Sequence, residues 1–153
     1  MEIGMTAIDR TQFAQECLKQ AKAFGTYAHY MLAVAQLRSK IDDAKNGALY
    51  GPFGLSEAQW SKQCADPVLN FGTNDISSWR RQCALVACWT HKAHAALATA
   101  SGDDPTFEEL YSFQWPGAAV AGLDQAFTDT KALMPAPESV PSADTSSAVQ
   151  FPV

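Results

Sequence analysis

Three histidines and four cysteines are the side chains best suited to metal or nucleophilic chemistry in this chain of 153 residues. His91 and His94 stand three positions apart, so on a helix they share a face. Two imidazoles still need a third ligand to hold zinc, and the sequence contains no H-E-x-x-H. Cys83 and Cys88 are five apart, which matches neither C-x-x-C nor a zinc ligand pair. With Cys17 and Cys64 they read as small, reduced core residues, a Cys17–Cys64 bridge being left open. A Cys/His dyad has no local signature here, and no phosphate-cradling G-x-x-x-x-G-K-[ST] occurs. The expectation is no metal and no cofactor.

Carboxylates offer acid–base chemistry instead. Asp42, Asp43 and Glu57 flank the turn-rich stretch "NGALYGPFG". Read plainly, the first two are helix-end and loop charges, and Glu57 complements the dipole of a helix start. All three could also pair with Arg38, which lies about one turn before Asp42. Aromatic rings are plentiful around the same loops: Tyr50, Phe53, Trp60, Trp79, Trp89, Tyr111, Phe113 and Trp115. In a groove such rings stack on sugars, while in most domains they fill the core.

The elements that position these groups read as almost all helix. Asp9 caps a first helix with Gln12 as box partner. Phe13, Cys17, Leu18, Ala21 and Phe24 form its stripe, and Gly25 ends it. Thr26 is expected to cap a second helix through Tyr30, Met31, Val34, Ala35 and Leu37, apolar on one face and ending near Ser39 to Asp43. Ser56 caps a short helix with Gln59 three residues on. Asn74 or Asp75 opens the longest helix, which runs to about Thr99 and buries Ile76, Trp79, Cys83, Val86, Ala87 and Leu97. Thr106 with Glu109 starts another short helix. Pro116 suits the first turn of a last one carrying Val120, Leu123, Ala126 and Phe127. The fold class is therefore all-α, a domain of about six helices over 1–134. A Pro/Ser/Ala-rich tail or linker without helical period follows over 135–153, expected to be disordered.

Composition narrows the partners. Hydrophobic residues at 47% and charged residues at 18% suit a globular core rather than a disordered chain. A net charge of -5 argues against nucleic acid or anionic membrane, which need a basic face. Arg80-Arg81, the sole adjacent basic pair, reads as a solvated face. No apolar run is long enough to span a bilayer, and no signal-peptide pattern opens the chain. A cytoplasmic location is thus favoured for the sequence as it stands, unless an upstream segment has been cut away.

Three stretches in order resemble the lysozyme-like lytic transglycosylases. "MLAVAQLRSKI" stands where that family has "LLAxAxxES", whose Glu is catalytic. "GALYGPFGLSEAQW" stands for "GAxGPFQFTxxxW", whose loop Gln faces substrate. "DPTFEELYSFQWPGAAVA" stands for "PTxxELYLAHFLGxxGA". The shared residues are Leu32, Ala33, Ala35, Ser39, Gly47, Gly51, Pro52, Phe53, Trp60, Pro105, Leu110, Tyr111 and Gly117. The departures are Arg38 at the catalytic Glu, Gly54 at the Gln and Gln114 at the His of the third motif. The matched stretches cover less than half of the chain.

The resemblance implies a lysozyme-like helical domain whose scaffold is kept and whose acid is gone. Glycosidic cleavage needs a proton delivered to the leaving oxygen, and arginine stays protonated near neutral pH. It implies a peptidoglycan-like glycan or a protein as partner. Arg38, Ser39, Tyr50, Phe53, Gly54, Tyr111 and Gln114 would line the ligand groove. The alternative is an active glycan-cleaving enzyme that uses Asp42 or Asp43, with Glu57 a further candidate. A third option is a regulatory module joined through its tail to another domain.

Overall fold

The computed structural model describes residues 8–43 and 45–134, the side chains of 73 and 74 excepted. The expected tail lies outside the described residues. The described chain is helical, with six α-helices: α1 (Arg10–Phe24), α2 (Ala28–Ser39), α3 (Glu57–Cys64), α4 (Trp79–Ser101), α5 (Phe107–Gln114) and α6 (Leu123–Thr130). Short 3-10 turns occupy Thr73–Ser77 and Lys131–Leu133.

Most helix starts follow the capping chemistry. The Asp9 side chain accepts from the Gln12 amide, while the Gln12 side chain serves Arg80. Ser56 with Gln59 and Thr106 with Glu109 form reciprocal capping boxes. Gly25 and Gly102 close α1 and α4 in the left-handed conformation.

Three boundaries differ from the sequence expectation. Tyr27 rather than Thr26 is the N-cap of α2, and it makes no side-chain cap bond. Thr26 is buried with its Oγ1 unpartnered. Asn74 and Asp75 lie in the 3-10 turn, and Ser78 caps α4 by accepting from the Arg81 amide. Pro116 and Gly117 sit in a turn after α5, so the last helix begins only at Leu123.

The core is arranged around α2, which packs against α1, α4 and α6. Every residue from Ala28 to Val34, and Ala35 after them, is buried. A helix enclosed on all sides shows no apolar stripe, so the expected single face became a whole buried turn-by-turn surface. Met31, Leu32, Ala33 and Val34 are fully inaccessible. Two polar members of this helix carry their own partners. Tyr30 donates to Gln114 Oε1 at 2.7 Å, and Gln114 Nε2 donates to Thr90 Oγ1 at 3.0 Å. His29 Nε2 lies 3.1 Å from the Phe127 carbonyl and 3.2 Å from Thr130 Oγ1, joining α2 to α6.

Candidate functional site

The C-terminal end of α2 meets the loop between α2 and α3, and this junction carries the most unusual chemistry of the fold. Lys40 and Ile41 both have positive φ, at 60° and 58°. For a buried, β-branched residue such as Ile41 that conformation is strained, and the surrounding structure must hold it. The Ser39 hydroxyl sits 2.7 Å from the Pro52 carbonyl and accepts from the Asp42 amide at 3.1 Å. These bonds turn the chain sharply after Ser39 and bring Arg38 against the loop.

The loop itself has almost no secondary structure. Tyr50 and Leu55 exchange backbone hydrogen bonds at 2.9 and 3.0 Å around a tight turn. Two side chains from different helices fix it. From α4, Gln82 Nε2 donates to the Tyr50 and Ile76 carbonyls at 3.0 and 2.8 Å, and Gln82 Oε1 accepts from the Phe53 amide at 3.4 Å. From α2, Arg38 Nε donates to the Phe53 carbonyl at 2.7 Å and Nη2 to the Gly54 carbonyl at 3.0 Å. Thus Gln82 and Arg38 grip the same turn from two helices. The Phe53 ring is pushed inward against Phe13 of α1, ring centres 5.6 Å apart.

Arg38 has two further neighbours from the end of α5. Its Nη1 donates to the Tyr111 hydroxyl at 3.1 Å, and its guanidinium lies 4.9 Å above the centre of the Trp115 ring. Among the described residues no Asp or Glu forms an ion pair with it. The expected pairing with Asp42, Asp43 or Glu57 is therefore corrected. Neutral carbonyls, a phenol and an indole surround the cation, because the Ser39 turn carries the following carboxylates away. Asp42 is exposed, and Glu57 is exposed with its carboxylate taking the Tyr50 hydroxyl at 2.9 Å. Asp43 is half-buried. Burial, with the Asp42 charge beside it, pushes its carboxyl up to about 6.

The residues expected to line a groove divide into two groups. Arg38, Ser39 and Tyr50 are half-buried at the junction. Phe53, Gly54, Tyr111 and Gln114 are buried, and Gln114 belongs to the internal Tyr30–Gln114–Thr90 network. Most of the other aromatic rings are also taken up internally. Trp60 and Trp115 are 1% and 3% exposed, whereas Phe113 on α5 is 48% exposed. Gln82 was not legible as a site residue. Its one sequence signal was an amide side chain amid the apolar run of α4.

No family model, curated protein or solved structure matches this chain. Among the described residues no three His, Cys, Asp or Glu side chains converge to hold a metal ion, and no helix is long and apolar enough to cross a membrane. All four cysteines are free thiols, so the Cys17–Cys64 bridge is not formed. His91 and His94 stand on α4, half-buried and buried, with His94 Nε2 3.8 Å from Asp104. Arg80 and Arg81 are not merely solvated. Arg80 pairs with Glu16 at 3.1 Å, and the two guanidinium groups cover the Trp79 and Phe71 rings at 4.3 and 5.3 Å.

Proposed function

We propose that this chain is a non-catalytic binding module, related in pattern to the lysozyme-like transglycosylases, in which Arg38 replaces the catalytic acid and closes the site around it. One observation carries this reading: Arg38 points inward and commits three of its five N–H groups to Phe53, Gly54 and Tyr111. A side chain so committed neither gives up a proton near neutral pH nor welcomes an oxocarbenium-like charge beside it. The replacement also fits the other two departures. Gly54 leaves room for the guanidinium, and Gln114 is absorbed into the core. The module would serve recognition or regulation, with a glycan or a protein as partner. Purified protein should release no fragments from peptidoglycan between pH 4 and 8, by turbidity and by chromatography of soluble products. Release of muropeptides above a heat-inactivated control would end this reading.

A second reading is favoured by Asp43 alone. A half-buried carboxyl raised to about 6 is the kind of group that serves as a general acid. Under that reading glycan cleavage would be present, highest below pH 6, and abolished by Asp43→Asn.

A further inference from the structure

His29 is buried where α2 meets α6, and one ring nitrogen makes the joint. Nε2 lies 3.1 Å from the Phe127 carbonyl and 3.2 Å from Thr130 Oγ1. The Thr130 hydroxyl donates its proton to the Ala126 carbonyl at 2.7 Å, so toward His29 it is an acceptor, like the Phe127 carbonyl. Two acceptors on one nitrogen fix the neutral tautomer: Nε2 carries the hydrogen and donates it to α6. A second proton must then land on Nδ1, which has no acceptor among the described residues. A buried cation with an unpaired N–H is costly.

No neighbouring charge offsets that cost. The charged group acting on His29 is Lys131, of the same sign, from the 3-10 turn after α6. Asp124 and Asp129 of α6 are exposed, and Asp129 takes the Gln125 amide at 2.8 Å. Glu108 and Glu109 of α5 are exposed, and Glu109 is engaged in its own capping box. From α4, His94 faces Asp104, and from α1, Glu16 faces Arg80. The helix on the other side of the joint is weak by itself. With 8 residues α6 is too short to stand alone, and its N-cap, Gly122, makes no side-chain cap bond. Leu123, Ala126 and Thr130 are its buried residues, while the Phe127 ring sits edge-on to His29 at 4.9 Å and stacks on Phe107 of α5 at 5.2 Å. Its fastening is tertiary and runs through His29.

We infer that His29 is a proton-sensitive latch, which fastens α6 to α2 at neutral pH and releases it locally in acid. Docked, the ring stays neutral. Undocked, it meets water and takes its proton at the ordinary value of 6.5. Below that value the open population grows by up to tenfold per pH unit, until the docked ring itself takes the proton. Release uncovers the Phe107 and Phe127 rings. It also withdraws Gly122 from Leu37, the residue before Arg38, against which a Cβ on Gly122 would lie 3.2 Å away. The latch therefore reaches the Arg38 junction, and it does not depend on the binding-module reading.

Hydrogen exchange of the full chain tests this, read by mass spectrometry on peptides of α6 and of the centre of α4 and corrected for the intrinsic effect of pH. At pH 7.0 α6 should be less protected than α4. Between pH 7.0 and 5.5 its protection should fall about three- to tenfold. The fall should vanish in His29→Gln, which keeps an N–H donor and cannot titrate. Equal protection of α6 and α4 overturns the local release, and a fall that persists in His29→Gln overturns the latch. Proton NMR of the parent chain decides the case in which that variant fails to fold. The His29 ring should titrate below 6.5, and a midpoint at or above 6.5 overturns the proposal.

Discussion

Arg38 and Gly54 are fitted to each other: a Cβ built on Gly54 would lie 3.2 Å from Arg38 Nε, while Arg38 Nη2 donates to the Gly54 carbonyl at 3.0 Å. The close approach of guanidinium to backbone is possible because no side chain intervenes.

Removing the guanidinium should loosen the loop. Arg38→Ala leaves the Phe53 and Gly54 carbonyls without their charged donor and should cost roughly 1–3 kcal/mol. Arg38→Lys should recover less than half of that, since one ammonium cannot reproduce a planar fork. Urea unfolding of the three proteins measures it. A fully stable Arg38→Ala would show that water serves the carbonyls equally well.

Three glycines of the same loop should rank by what surrounds them. A Cβ on Gly51 would lie 2.5 Å from Gln82 Nε2, one on Gly54 3.2 Å from Arg38 Nε, and one on Gly47 would meet nothing within 4 Å. All three have positive φ, at 63°, 70° and 59° for Gly47, Gly51 and Gly54. Gly47→Ala should therefore cost only the backbone term, about 1–2 kcal/mol. Gly54→Ala should cost more and Gly51→Ala most, because Gln82 must give up bonds to Tyr50 and Ile76. Thermal midpoints of the single variants supply the order, and equal midpoints would contradict it.

Asp43 should make the fold less stable as pH rises. Its folded carboxyl titrates near 6, above its ordinary value of 3.8, so the folded state holds the proton more tightly than the unfolded state. Stability is then fully present below the ordinary value and is lost as pH climbs to about 6. Asp43→Asn should raise the thermal midpoint at pH 7 and change it little at pH 3.5. A midpoint difference independent of pH would remove the titration as its cause.

His29 should act in the opposite sense. Burial lowers its pKa, the Phe127 carbonyl opposes that, and Lys131 adds to it. The unfolded state therefore takes up a proton before the folded one does. Stability is full above the ordinary value of 6.5 and falls as pH drops below it. His94, also lowered by burial but opposed by Asp104, contributes with the same sign. In an Asp43→Asn background, the midpoint should fall between pH 7.5 and 5, and less steeply after His29→Gln. An identical slope in both proteins would assign the effect elsewhere.

The thiols should be slow to react. Burial pushes the Cys83 thiol up, with Cys17 adding to the shift, and burial pushes Cys88 up to about 11. A thiolate reagent at pH 8 should label Cys64 first, the half-buried one, and all four only after denaturation without reductant. Two free thiols after denaturation would reveal a bridge.

Local sequence determined the helical class and much of its punctuation. Asp9, Ser56, Thr106, Gly25 and Gly102 act within a turn of themselves, so their effect does not depend on the rest of the chain. At Thr26 and at Asn74 or Asp75 the expected cap is not the one used, and Tyr27 and Ser78 stand there instead. Arg38 and the Gly47 to Gly54 loop are grouped in one groove only through a family resemblance read from the sequence. The sequence could not say what Arg38 touches. Charge complementarity suggested Asp42, Asp43 or Glu57. Instead the strained turn through Ile41 sent those carboxylates outward and set the guanidinium on two backbone carbonyls. Backbone oxygens are present at every position and leave no trace in residue identity. Gln82, 29 residues from Phe53 in sequence, was hidden for the same reason. Contacts to main chain across long separations exist only once α2, α4 and α5 have packed, so the seat of Arg38 on Phe53, Gly54, Tyr111 and Trp115 is a product of the tertiary fold.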